Sequence, residues 1–431
     1  MTRWRSLAVV ALLLGEAACA PREESNGIVL RMWAFGREGE VITQIIPEFE
    51  RENPGVTVKV QQIPWLAAHE KLLTGFVGNT TPDVAPLGNT WIPEFALLNA
   101  LEPLDTLIAR SSGLDSTKFF SGIWATNVVR HAVFGIPWYV DTRVLFYRKD
   151  ILQRAGYSSM PETWDGWLAA MQAIKRLGGP DRYAVLLPVN EWPPQAILGF
   201  QAGSPLVTPS ARGVFREAAF ERGFTFLVNL YKTGLAPPVS NNEISNIYQE
   251  FAKGTFAMLI TGPWNLGEFR RRLPSDLQDK WATAPLPGPD GPKTGVSLAG
   301  GTSLVVFRRS KHRAESWKLI EFLSRPEQQV KFYRLTGDLP ARLEAWTDST
   351  LAGDPEVRAF RTQLERLALH PILPEWEQVT VKLMEATEVA VRGRSPVDSV
   401  LIKLDADVDR LLEKRRWILA EESKRAVGAT P

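Results

Sequence analysis

The sequence predicts an α/β fold built in two successive regions. Short apolar strand segments alternate with helical ones, the pattern of βαβ units and parallel-type sheets flanked by helices. Near Tyr139–Asp141 two strand-like runs meet, and a second α/β region begins there. The length of 431 residues fits two or three domains. An apolar content of 45% with 23% charged residues is an ordinary globular balance.

The elements follow in order. Ile28–Trp33 is a strand closed by Gly36. Val41, Ile42, Ile45, Ile46 and Phe49 fall on one helical face, and Asn53-Pro54-Gly55 stops that helix. Val56–Ile63 alternates as a strand, and a helix runs over 66–77. A short strand over 83–87 precedes a helix over 91–98. Right-handed crossovers put the loops Ala34–Gly39, Pro64–Trp65 and Gly88–Thr90 at one sheet edge, where ligands bind in such folds. Strand-like runs at 131–140 and 144–149 open the second region. It continues with helices to Leu177 and over 220–233 and 246–253. A strand over 254–261 leads into Gly262-Pro263-Trp264-Asn265. Further strands occupy 281–286 and 297–306, and from Ala314 the chain is mostly helical with proline breaks, among them Pro326 and Pro340.

Several function classes are disfavoured. Fifty Lys+Arg against 48 Asp+Glu leave a net charge of +2, without the basic excess a nucleic-acid partner needs. The single cysteine and four dispersed histidines give no metal spacing. No G-x-S-x-G elbow, no P-loop and no G-x-G-x-x-G after the first strand is present. A glycosidase pair could be drawn from the carboxylates, but nothing singles one out. No catalytic residue, cofactor or metal is assigned, and the chain is expected to bind rather than catalyse.

The fifteen tryptophans carry the binding argument. Loops at the predicted edge pair an aromatic with a short polar group: Trp33 and Phe35, Trp65, Asn89 and Trp91, Tyr139 and Asp141, Asn190-Glu191-Trp192, and Trp264-Asn265. A pyranose has an apolar face that stacks on an aromatic and a rim of hydroxyls that donate and accept. Charged partners strengthen those bonds. Other residues read as structural. Trp138, Trp164 and Trp167 are assigned to the core, Asp83 to turn chemistry, His69 to a solvated helix, His370 to a loop, and Arg270–Arg272 to a solvated helix face.

Residues 1–19 read as an export signal, with Arg3 and Arg5, the apolar run Leu7–Leu14, and small residues before Cys19. They resemble a lipoprotein cleavage box with Cys19 as the lipidated residue, although Glu16 stands where Leu is usual. Residues 20–27 read as a tether. No later segment reaches the length of about 20 residues needed to span a bilayer.

From Ile28 to about Ala390 the chain resembles the family 1 extracellular solute-binding proteins, the sugar-binding components of bacterial ATP-driven importers. Nine segments carry the resemblance: Phe49–Val56, Thr81–Val84, Leu101–Asp105, Gly135–Tyr139, Leu145–Asp150, Pro161–Trp164, Gly254–Met258, Leu298–Gly301 and Gly337–Pro340. The resemblance implies a two-lobed periplasmic-binding-protein fold with a ligand cleft between the lobes. Residues 28–139 and 285–324 would form the N-terminal lobe, and 140–284 and 325–431 the C-terminal lobe. The crossings would lie near Tyr139–Thr142, Ala284–Pro287 and Leu323–Pro326. It also implies ligand contacts from Trp33, Phe35, Glu38, Gly88, Asn89, Tyr139, Asp141, Trp264, the turn Gly300-Gly301-Thr302, and Arg342, which Trp65 and Trp192 join as candidates from the aromatic loops. Trehalose and maltose binders similar to this chain often carry aspartate where Gly88-Asn89 stands. The turn before Leu339, commonly Gly-Gly or Gly-Lys, is here Gly337-Asp338. The implied ligand is an α-linked disaccharide such as trehalose or maltose. A polyol, an oligosaccharide or a glycerol phosphate is the alternative, the last needing a cleft cation beyond Arg342. The implied partners are membrane permease subunits. The protein would be a monomer in the periplasm or on the outer face of the cytoplasmic membrane.

Overall fold

The computed structural model describes residues 27–428. Cys19, the export segment and tether residues 20–26 lie outside the described residues. Among the described residues no helix is long and apolar enough to cross a membrane.

The strands are β1 Ile28–Phe35, β2 Val56–Ile63, β3 Val84–Gly88, β4 Val128–Val129, β5 Ala132–Val133, β6 Ile136–Asp141, β7 Val144–Arg148, β8 Tyr183–Leu186, β9 Phe256–Thr261, β10 Trp281–Ala284, β11 Ser297–Val306, β12 Leu339–Pro340 and β13 Leu367–Leu369. They form a sheet in the order β12-β6-β11-β3-β1-β2, extended by β13 beside β11, a second sheet in the order β10-β7-β9-β8, and the small ribbon β4-β5. Each large sheet is packed by helices, giving two α/β lobes. The ladders are mixed. β1 pairs in parallel with β2 and β3, and β8 with β9. β11 runs antiparallel to β3 and β6, and β7 antiparallel to β9 and β10. The strands that travel between the lobes enter each sheet against its βαβ units, which accounts for the antiparallel ladders.

The first crossing is short. β6 belongs to the first sheet and β7 to the second, with only Thr142 and Arg143 between them. The second crossing lies between β10 and β11. The third does not fall at Leu323–Pro326. Pro326 begins a new helix, Pro326–Thr336, where a missing N–H costs nothing. That helix stays with the first sheet: Phe332 lies 4.3 Å from Trp138 between ring centroids, and Gln329 donates to the Pro137 carbonyl at 3.3 Å. β12 then pairs with β6. The chain passes to the other sheet only after Pro340, and the helix Pro355–Gln363 packs on β10 and β7.

The second lobe shows how sequence becomes core. Thr163 caps the helix Trp164–Gly178 by accepting from the Gly166 N–H. Trp164, Trp167, Ala170, Met171 and Ile174 recur at helical spacing and are buried. The Trp164 indole N–H donates to Gln201 Oε1 at 2.7 Å, so both buried tryptophans and Trp138 are structural as expected. His370 lies in a loop but is buried, and burial pulls its imidazole down to about 4. Helices Pro193–Gln201 and Ala218–Lys232 meet at Gly223, where a Cβ would stand 2.4 Å from the Leu198 carbonyl oxygen. Gly223→Ala is therefore expected to cost about 1–3 kcal/mol by overpacking. A thermal melt should show a lower midpoint; an unchanged one would mean the two helices can part without loss.

Candidate functional site

The first crossing organises the site. β11 lies beside β6 with Gly300 opposite Asp141 and Thr302 opposite Tyr139. At Gly301, with φ +148°, a Cβ would stand 2.4 Å from the Tyr139 carbonyl, so only glycine permits this approach. Tyr139 then points into the first lobe, and its hydroxyl donates to Glu38 Oε1 at 3.0 Å. The Trp65 indole N–H donates to Glu38 Oε2 at 3.1 Å. Glu38 is brought there by the short helix Gly36–Val41 that follows β1.

Three carboxyl groups meet at this junction, Glu38 and Asp338 buried and Asp141 partly exposed. Burial pushes the Glu38 carboxyl up, and the bonds from its own backbone, Trp65 and Tyr139 offset part of that rise. Asp338 is 2% exposed and its Oδ1 has no hydrogen-bond partner. Burial, and then the Glu38 charge, lift it well above the ordinary carboxylate range. Asp141 is raised by burial and pulled back by Arg143, whose Nε lies 3.5 Å from Asp141 Oδ1.

Arg143 carries this cluster to an open cavity between the lobes. Its guanidinium stacks over the Trp264 ring at 4.5 Å, and an amino nitrogen lies 4.0 Å from Glu191. Trp264 folds back so closely on Gly262 that a Cβ there would stand 2.0 Å from the indole. The cavity encloses about 460 Å³, in the size range of small-molecule sites. Trp192, Trp264, Arg143 and Glu191 wall it with His69 of the first lobe and Glu377 of the helix Trp376–Val391. Two tryptophans, a guanidinium, an imidazole and two carboxylates thus meet in one concave space.

Of the residues singled out in the sequence, Glu38, Trp65, Tyr139, Asp141, Gly300, Gly301 and Thr302 gather around the first crossing. Trp192 and Trp264 line the cavity. Gly88 and Asn89 join the crossing through backbone alone, Gly88 standing opposite Thr302 and the Asn89 N–H donating to the Gly301 carbonyl at 3.0 Å, while Trp33, Phe35 and Arg342 lie apart. Trp33 packs its ring against Gly75, with the Lys71 ammonium 5.4 Å from its centroid, in a separate surface hollow. Phe35 is wholly buried and meets Trp65 edge-on at 5.2 Å. Both side chains lie on the same face of β1, and Trp33 is directed to the helix Trp65–Val77. Gly88 lies beneath Trp91. The Asn89 amide is consumed inside the lobe, donating to Thr126 and accepting from Ser303 at 2.9 Å. The Arg342 guanidinium donates to the Gly113 carbonyl at 2.9 Å and to Glu344 at 3.2 Å, and lies over Phe119. Its position after β12 turns it inward, so it is a packing residue.

Sequence reasoning missed Arg143, His69 and Glu377. Arg143 could have been found, as the first cation after the crossing aromatic and aspartate. His69 is half-exposed on the helix Trp65–Val77, as expected, and is also paired: its Nε2 lies 2.7 Å from Glu94. Burial lowers its pKa, but the bond to Glu94 and the Glu94 charge more than offset this and leave it raised. Glu377 stands over 110 residues from its cavity partners, and no local spacing announces it.

Residues 35–330 match the family described as bacterial extracellular solute-binding protein. The chain belongs to this family. Its fold is similar to the solved sugar-binding protein MalE of Xanthomonas citri, with 47% identity and a TM-score of 0.85 over 91% of this chain and 99% of that one. It is similar to the galactooligosaccharide-binding protein of Bacillus subtilis, 24% identical over 89% of this chain and 91% of that protein. A Streptomyces antibioticus relative described as an uncharacterized lipoprotein is 28% identical, over 80% of this chain and 78% of its own length. Family membership places this solute-binding protein among exported proteins.

The buried acids make its stability depend on pH. Folded Glu38, Asp141 and Asp338 hold protons that the unfolded chain releases from the ordinary carboxylate range upward. Their contribution therefore falls as pH rises. Asp338→Asn should gain stability relative to the parent as pH is raised from about 4 to 8, read as the difference between paired melts. Parallel melting curves across that range would show that Asp338 is not titrating differently in the two states.

Proposed function

We propose that this chain is the sugar-capturing component of an ABC importer. It takes an α-linked disaccharide such as trehalose or maltose into the cleft, closes by hinge motion, and delivers it to membrane permease subunits. The observation that carries the reading is the Trp264 ring, opened to the cavity beside Trp192 and backed by Arg143, with carboxylates around it. The aromatics would take the apolar faces of the sugar, and Asp141, Glu191 and Arg143 its hydroxyls. The names of the Xanthomonas citri and Bacillus subtilis relatives support a carbohydrate ligand. No covalent chemistry is involved. With Glu191 and Glu377 in the wall, and Arg143 already taken up by Asp141 and the Trp264 ring, a neutral sugar is favoured over a glycerol phosphate. The protein acts as a monomer, anchored outside the cytoplasmic membrane through lipid on Cys19.

The test is a melt of the chain lacking residues 1–19 with trehalose, maltose, sucrose, maltotriose, glucose and glycerol 3-phosphate. A binder gains about 2.7 kcal/mol at a hundredfold excess over Kd, a shift of a few degrees for a domain of this size. A shift with one disaccharide supports the reading and names the cargo. A shift only with glycerol 3-phosphate would replace it. Trp264→Ala should weaken binding of that disaccharide by about 2 kcal/mol, roughly thirtyfold in Kd, while the unliganded protein still melts cooperatively. Unaltered affinity by calorimetry would remove Trp264 from the site.

A further inference from the structure

Trp264 stands in the cavity, and it is also the first residue of the second-lobe helix Trp264–Arg272. Within its own lobe the ring is steadied by Gly262 behind it and the Arg143 guanidinium over it. Neither contact fixes how far the ring stands from the first-lobe wall, where His69 lies. The same helix, however, rests on the first lobe. One turn on, at Gly267, a Cβ would stand 2.6 Å from the Thr336 carbonyl oxygen, at the end of the helix Pro326–Thr336. Gly337, with φ +90°, closes the contact from the other side: a Cβ there would stand 2.7 Å from the Gly267 nitrogen. Two glycines thus let elements of different lobes touch backbone to backbone. A turn further, Arg270 Nη1 donates to the Tyr333 hydroxyl at 3.4 Å, and that hydroxyl donates to Asp354 Oδ2 at 2.8 Å. Arg270 Nη2 reaches the same oxygen. Asp354 is held in turn, because its Oδ1 caps the second-lobe helix Pro355–Gln363 by accepting from Glu356 and Val357. Tyr333 is 5% exposed and follows Phe332, which packs on Trp138 of the first sheet. Burial lifts its hydroxyl to about 12, so it remains a donor near neutral pH. An open hollow of about 460 Å³ lies beside these groups, so polar ties and one backbone contact, rather than close packing, hold this seam.

We infer that Tyr333 is a positioning residue for sugar binding: by tying its first-lobe helix to Arg270 and Asp354 of the second lobe, over the Gly267–Gly337 contact, it sets the gap between Trp264 and the facing cavity wall. The inference rests on the sugar-receptor reading above. The helix Trp264–Arg272 has nine residues and is about 13 Å long, so a shift at its Arg270 end is carried to the ring at its start. Tyr333 does not line the cavity, and it acts on the ligand only through that helix.

The experiment is calorimetric titration of trehalose, maltose, sucrose and maltotriose into the chain lacking residues 1–19, as parent, Tyr333→Phe, Trp264→Ala and the double variant. Phenylalanine keeps the ring in the core and removes the tie to Asp354. Gly267→Ala is a second probe, since its methyl would press the helix away from the Thr336 carbonyl and weaken binding in the same direction. Melts of the unliganded variants verify folding, with Tyr333→Phe carrying the comparison should Gly267→Ala unfold the chain. For the sugar the parent prefers, Tyr333→Phe is expected to weaken binding about fivefold. With Trp264 already removed, the same change is expected to cost under about twofold, because the tie acts through that ring. Trp264→Phe takes the place of alanine where the alanine variant binds too weakly to measure. Parent-like affinity in Tyr333→Phe would overturn the positioning role and leave the sugar-receptor reading standing. An equal loss with and without Trp264 would overturn it as well, marking a general loosening of the protein. A parent that binds none of the four sugars overturns both readings together.

Discussion

The pairing of β6 with β11 at Gly301 is the contact from which the site is built. A side chain there would collide with the Tyr139 carbonyl 2.4 Å away. Its absence allows the two strands to close, and closure sets Thr302 against Tyr139 and Gly300 against Asp141. Both strands lead between the lobes, so one backbone approach places the cleft's acids and also defines where the lobes are joined. β11 extends the effect, since its ten residues pair in turn with β13, β6 and β3. A fault at this ladder would reach the first sheet and the crossing at once.

The electrostatics follow from that placement. Strand pairing brings Tyr139 and the partly exposed Asp141 to the junction where the buried Glu38 and Asp338 lie, and desolvation raises all three acids. Asp141 then engages Arg143, and Arg143 lies flat on Trp264. The planar guanidinium can pair in its plane and stack on its face together, which a lysine could not do. A continuous chain of contacts therefore runs from the buried acids to the cavity wall.

Much of the architecture was legible in local pattern. Alternation of strand and helix marked the two α/β regions, and the run of aromatics beside acids at Tyr139–Asp141 marked the crossing. Trp164 and Trp167, one helical turn apart, declared themselves core by spacing. Where the structure turns a candidate away from the cavity, the cause is physical. Trp33 and Phe35 were judged by nearness to a loop, whereas strand alternation turns both into packing. Asn89 was placed by its loop and Arg342 by the family resemblance, but each finds partners within the fold. The resemblance put a crossing near Pro326, but here that proline begins a helix that stays with the first sheet.

The sequence by itself determined the periodic elements, the second α/β region, the aromatic excess and the family, because these depend on the spacing of residues close along the chain. Tertiary structure decided which polar groups remain open to a ligand. Glu377 meets His69 and Thr90 across some three hundred residues of chain, and Asp338 meets Glu38 across a similar span. Such meetings are set by how the sheets and helices pack, and no short window of sequence contains both partners.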